Sequence, residues 1–225
     1  YFGNYVKAIT KSPLVKQFTN SVIVAVSTLV LLVVVGALAA FPISKMRFKQ
    51  ADKVMTYFLL GIMIPSFVCL IPMFTIYKEL GLRNTYASLV IPQLGFGLPM
   101  CIYLYVNFMK FIPNSLCEAA TIDGASSFIT FSRIIFPMAK NSTITIVIFN
   151  FVNVWNEYVY ANTFMTKSTM KTLPIGLNDF VGEMGSRDWG APFAAIVIAV
   201  LPTLIIYFFL NKNVMEGMAA GAVKG

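Results

Sequence analysis

Residues 17–44 read QFTNSVIVAVSTLVLLVVVGALAAFPIS, a stretch without one charged side chain. Within it, 22–35 are apolar on every face apart from Ser27 and Thr28. A helix needs roughly 20 mostly apolar residues to cross a bilayer core of about 30 Å. A membrane β-barrel would instead show short segments of alternating polarity. Four further stretches repeat the signal, at 54–77, 84–109, 141–166 and 189–211, and Glu157 is the one charge among them. The pattern predicts an all-α polytopic membrane protein. The five helices are expected at 18–41, 54–77, 86–109, 142–164 and 189–210.

Composition narrows the chemistry. Hydrophobic residues make up 58% of the 225 and charged residues only 12%, against about 25% charged in a soluble domain. The net charge of +8 comes from 17 Lys and Arg against 9 acids. It forms no basic stripe with interleaved aromatics, which argues against nucleic acid, and it suits residues flanking membrane helices. The chain has no His, and Cys69, Cys101 and Cys117 have neither metal-ligand nor disulfide-framework spacing. Zinc and His-based catalysis are therefore not expected. No Gly-rich phosphate loop ending in Lys-Ser or Lys-Thr occurs, so the chain should not hydrolyse ATP alone and needs no cofactor of its own. It opens at Tyr1 without Met or a signal pattern. It reads as part of a longer polypeptide, with one more membrane helix expected upstream.

Breaks and loops organise the rest. Pro42 favours an end to the first helix. Pro65 and Pro72 should bend or break the second. Pro92, Gly95, Gly97 and Pro99 should interrupt the third, either to line a gate or to allow close packing. Loop 167–188 is long and mixed in charge, and reads as a structured surface element. Counted by alternating sides, one side holds nine Lys or Arg and the other eight. Orientation therefore rests on the compact cluster Lys45, Arg47, Lys49 and Lys53, which argues weakly for the cytoplasm.

Loop 110–141 is neither apolar enough to span nor simple enough to be a linker. In it, Glu118-Ala119-Ala120-Thr121-Ile122-Asp123-Gly124-Ala125 can form a short amphipathic helix that Gly124 terminates in left-handed geometry. Phe128, Phe131, Ile134 and Ile135 would pack the following segment. On pattern alone this is either a rigid element that transmits movement or an ordinary connector. In the fourth helix, Asn150, Asn153 and Glu157 follow i, i+3, i+7 spacing and share one face. Glu157 must face protein, water or the boundary, since a lipid-exposed carboxylate is expensive. These groups can bond hydroxyl-rich cargo, or they can hold helices together or shape a gate. Both readings stand.

The ordered set of motifs resembles the permeases of bacterial ABC importers, most closely the carbohydrate-uptake branch of maltose-transporter type. Glu118–Ala120, Asp123–Ala125 and Pro137 match its EAA loop. Asn20-Ser21, Ile64-Pro65, Ile71-Pro72, Gly81-Leu82, Asn84-Thr85, Trp155-Asn156-Glu157 and the closing Gly221-Ala222-Val223-Lys224-Gly225 follow in order over essentially the whole chain. Two departures stand out: the family's first membrane helix is absent, and Phe41-Pro42 replaces a more usual Ala and Tyr.

The resemblance implies a six-helix permease domain over residues 1–225, of which these are the last five helices, in a bacterial cytoplasmic (inner) membrane. It implies as partners a second related, non-identical permease, two cytoplasmic ATPase subunits that bind ATP and Mg, an extracytoplasmic solute-binding protein and membrane lipid. Residues 118–124 would be the coupling helix in an ATPase cleft, with Ala125 counted among the coupling residues and the residues around Arg133 orienting the helix. Gly221, Lys224 and Gly225 would form a tail on the same side. The 45–53 connection and loop 110–141 become cytoplasmic, and 78–85 and 167–188 external. The cargo would be a sugar or oligosaccharide. A polyol, a glycerol-phosphate or another small solute fits the same architecture. A secondary transporter or a membrane scaffold are the readings outside it.

Overall fold

The computed structural model describes the backbone of residues 1–10, 12–46, 48–184 and 189–222, and the side chains of these apart from 179–184 and 209–222. All regular elements among the described residues are helical. In order they are α1 (Gly3–Thr10), α2 (Leu14–Lys45), α3 (Ala51–Ile62), a 3-10 turn (Ser66–Cys69), α4 (Leu70–Glu79), α5 (Ala87–Lys110), α6 (Ser115–Ile122) and α7 (Ser127–Thr130). A π-turn (Phe131–Ile135) follows, then α8 (Phe136–Met138), α9 (Lys140–Trp155), α10 (Val159–Phe164), a 3-10 turn (Ser168–Met170), α11 (Leu173–Met184) and α12 (Gly190–Ala222).

Among the described residues, three helices are long and apolar enough to cross a membrane: α2, α5 and α12 over Gly190–Phe208. Two bent pairs bring the number of candidate spans to as many as five. The first is α3 with the segment Ser66–Glu79, bent by 78° at residues 63–65. Pro65 sits at that break. Pro72 is the third residue of α4, among the first N–H groups that lack an intrahelical acceptor, so it is accommodated there. The second pair is Ser127–Met138 with α9, bent by 73°.

Several boundaries differ from the sequence expectation. α2 continues through Pro42 to Lys45, because a proline in the last turn removes one hydrogen bond and the chain still closes through Met46 N–H to Pro42 O at 3.0 Å. α5 runs unbroken through Pro92, Gly95, Gly97 and Pro99, so these four do not break the helix. Gly97 serves packing: a Cβ there would lie 3.1 Å from the Leu32 side chain. The expected fourth helix at 142–164 is instead α9 and α10, separated at 156–158.

The chain forms two compact units: Tyr1–Thr28, Ser66–Gln93 and Phe151–Phe209, and Leu29–Pro65, Leu94–Asn150 and Leu210–Gly225. In the second, α2 and α5 approach closely. A Cβ on Gly36 would fall 2.6 Å from Cys101 Sγ, as in membrane packing where small residues let backbones meet. Leu32, Ile102, Tyr105, Met109 and Ile135 are fully buried around this contact, and Tyr105 donates to Thr143 Oγ1 at 3.0 Å.

The first unit is pinned by polar groups. Asn20, fully buried, donates to the carbonyls of Thr169 (3.0 Å) and Lys171 (2.9 Å) and accepts from the Tyr86 hydroxyl (2.9 Å). Ser21 Oγ accepts from Leu173 N–H at 2.9 Å, capping the first turn of α11. Asn84 holds a positive φ of 58°, and its Oδ1 accepts from the N–H groups of Thr166 (2.7 Å) and Lys167 (2.8 Å).

Candidate functional site

Two regions carry the sequence candidates. In the first, α6 ends in a Schellman motif. Ala125 N–H reaches back to Ala120 O at 2.9 Å and Gly124 N–H to Thr121 O at 3.1 Å. Gly124 takes φ +76° with open space where a Cβ would be. Its glycine therefore answers a backbone demand rather than crowding. The chain then turns into α7, whose N-cap Ser126 accepts from Ile129 N–H at 3.4 Å.

α6 buries one residue, Ala120. Glu118, Ala119 and Asp123 are exposed, and Ile122 is 86% exposed. Phe128 on α7 is 68% exposed, so apolar side chains and two carboxylates share this surface. The segment behind is anchored: Phe131 rests on Phe41 at a ring distance of 5.4 Å and on Phe136 at 5.6 Å, and Ile135 is fully buried. Arg133 lies in the intervening π-turn with its side chain exposed. A groove of about 290 Å³ runs beside α6, lined by Lys45, Cys117, Thr121, Ser126 and Thr130 among others.

Sequence reading treated Lys45 as a topological charge. In the structure its Nζ donates to Ile112 O and, at 3.0 Å, to Asn114 Oδ1. Nothing in the sequence signals that contact, which joins residues more than sixty positions apart. Phe128, expected to pack with Phe131, Ile134 and Ile135, is instead exposed, as is Ile122; an apolar residue in a short loop helix reads as packing.

The second region is the polar set of α9. Asn150 is buried and donates to Ile146 O at 2.8 Å. Asn153 is exposed. Glu157 lies beyond the end of the helix at Trp155, so the three do not continue along one helical face. Its carboxylate accepts from Tyr160 N–H (2.6 Å) and Ala161 N–H (3.0 Å), filling the orphan donors of α10. Trp155 donates to Ala199 O at 3.0 Å and meets Phe18 edge-on at 5.5 Å. Glu157, Ser21, Gln93 and Thr172 edge a cavity of about 10 Å³, room for about one water and not for a sugar.

Among the described residues, no cluster of His, Cys, Asp and Glu can hold a metal ion. Of the tail candidates, Gly221 lies in the last turn of α12 with its surroundings undescribed, and Lys224 and Gly225 lie outside the described residues.

Known proteins place this architecture. The chain is 37% identical over 206 residues to a putative ABC transporter permease protein, ORF2, of Caldicellulosiruptor, covering 92% of this chain and 74% of the relative. It is 31% identical over 225 residues to the melibiose/raffinose/stachyose import permease protein MelC of Bacillus subtilis, covering 100% and 81%. The fold matches a crystal structure of a bacterial ABC transporter involved in import of the acidic polysaccharide alginate, with TM-score 0.80 and 21% identity over 94% of this chain and 79% of that one. The family profile of binding-protein-dependent transport system inner membrane components matches residues 13–219. With its long apolar helices and this match over most of its length, the chain is a multi-pass permease and belongs to the family of binding-protein-dependent transport system inner membrane components.

Proposed function

We propose that this chain is one permease subunit of an ATP-driven importer of a sugar or oligosaccharide. It pairs with a second, non-identical permease, receives cargo from an extracytoplasmic binding protein and is driven by two cytoplasmic ATPase subunits that carry ATP and Mg. The observation that carries the reading is α6. This short helix is terminated by a left-handed glycine, with Glu118, Ala119, Ile122 and Asp123 outward and a buried, aromatic-anchored segment behind it. An exposed helix on a rigid base suits docking in a partner's cleft, and Arg133 and the tail at Gly221, Lys224 and Gly225 would flank it. Movement there changes contacts in two states of the permease, which is what coupling requires.

The sugar assignment is supported by the similarity to the melibiose/raffinose/stachyose import permease MelC and by amides suited to hydroxyl-rich cargo, with Asn153 exposed and Asn150 buried. Gly95, with Pro65, Pro72, Pro92 and Pro99, supplies the candidate gate positions, while Gly97 is taken up in packing against Leu32.

Gentle purification through a tag on the full-length chain, followed by mass spectrometry of the intact complex, tests the architecture. Recovery with a second permease and two ATPase subunits is expected. Recovery alone, under conditions that preserve a control transporter, would move secondary transport or scaffolding forward. Uptake assays over melibiose, raffinose, maltose and glycerol-phosphate then separate sugars from other small solutes.

A further inference from the structure

The structure assigns to Lys45 the positioning of α6 for ATPase docking, a role that rests on reading α6 as the docking helix. α2 ends at Lys45. Its ammonium donates to the carbonyl of Ile112, just past the end of α5, and to Asn114 Oδ1, the residue that opens α6. A cation beside the last carbonyls of a helix is favourably placed against its dipole. One side chain thus ties the end of α2 to the short connection between α5 and α6.

Two observations show that the tether sets the orientation of α6. Asparagine at an N-cap ordinarily accepts from its own helix, yet Asn114 makes no such side-chain bond and sits at φ −67°, ψ −23°. Its oxygen is turned to Lys45 instead. In addition, α6 has little packing of its own. Ala120 is its one buried residue, while Leu116 and Cys117 are half-buried. With so small an apolar grip, a charge-assisted bond at one end and the glycine turn at the other contribute directly to how the helix is presented. Arg133, exposed on the π-turn, makes no described contact of this kind with α6.

The test uses the full-length chain with its second permease in lipid nanodiscs, titrated with nucleotide-free ATPase subunits. Four forms are compared: wild type, Lys45→Met, Lys45→Arg and Gly124→Val. Binding and amide hydrogen exchange over 115–122 are both read. Lys45→Met is expected to weaken ATPase binding about tenfold and to speed exchange in α6 about tenfold or more, as loss of charged hydrogen bonds predicts. Exchange in α5 should stay unchanged. Lys45→Arg, which keeps the charge and several donors, should restore both within about twofold.

Normal binding and exchange in Lys45→Met, beside weakened binding in Gly124→Val, would overturn the role of Lys45 and leave the docking reading standing. Normal binding in both variants would remove the docking reading and the role of Lys45 with it. Faster exchange throughout α5, or failure of Lys45→Arg to rescue, would show a general fold contribution and also overturn the assignment.

Discussion

The thiol of Cys101 donates to the carbonyl of Leu32 across 3.3 Å, in a groove kept open by Gly36. Buried free cysteine commonly acts as a small hydrophobe, and here it is also a helix–helix hydrogen-bond donor. The contact makes the α2–α5 crossing sensitive to single methyl groups.

Gly36→Ala places a Cβ 2.6 Å from Cys101 Sγ, and overpacking of this kind costs about 1–3 kcal/mol. We expect a lower thermal midpoint for the purified protein, partly recovered by adding Cys101→Ala. Equal midpoints for wild type and Gly36→Ala would mean that the two helices cross more loosely than described.

Asn20→Ala should be among the more damaging changes in the first unit. It leaves the carbonyls of Thr169 and Lys171 and the hydroxyl of Tyr86 without their partner, at about 1–3 kcal/mol for each group left unsatisfied in the interior. Limited proteolysis should then cut near 167–172 while α5 stays protected. An unchanged digestion pattern would show that the loop is held by other contacts.

Gly124 separates backbone strain from docking bulk. A β-branched residue at φ +76° is strained by about 1–2 kcal/mol, whereas Asn tolerates that region. Space at the Cβ is open within the chain. Gly124→Val is therefore expected to impair ATPase assembly more than Gly124→Asn, measured by co-purification. Equal loss in both would place the constraint in the partner's cleft, and equal retention would argue against a docking role for the turn.

Asn153 and Glu157 should separate in uptake kinetics. Asn153→Ala is expected to raise KM for the transported sugar with little effect on assembly, as an exposed amide facing cargo would. Glu157→Ala removes the acceptor for two N–H groups of α10, a cap worth about 0.5–2 kcal/mol. It should lower both stability and uptake while ATPase association holds. If uptake is unaltered in both variants, neither residue lies on the cargo path.

Helices are legible in sequence where composition alone decides them. α2, α5 and α12 are long apolar runs, and a bilayer admits few other structures for such runs. The turn at Gly124 was readable in the sequence, and the structure repeats its geometry at Gly81. Each glycine follows a short helix and takes positive φ, and Leu82 N–H returns to Tyr77 O at 2.9 Å as Ala125 N–H does to Ala120 O.

Proline was the less faithful guide. Pro65 marks a break and Pro92 does not, because the outcome depends on neighbours that sequence does not place. The end of α9 at Trp155 was hidden by polar spacing that continues past it, and only the hydrogen bonds of Glu157 to the next helix reveal its local work. Contacts such as Lys45 with Asn114, or Asn20 with Lys171, join residues far apart along the chain and carry no periodic signal.

The π-turn at Phe131–Ile135 fixes a length constraint on the loop. A π-turn holds one residue more than the α-helix it interrupts, and each residue of an α-helix turns the chain by about 100°. The wider turn absorbs that extra residue, so the helices on either side keep their mutual facing. Removing Ser132 would let the turn close as ordinary helix with Phe128 still facing its present way, whereas a further inserted residue would have no slack to absorb it and would rotate Phe128 by roughly 100° about the helix axis. The direction in which this surface looks is thus buffered against the loss of one residue in the turn and not against the gain of one.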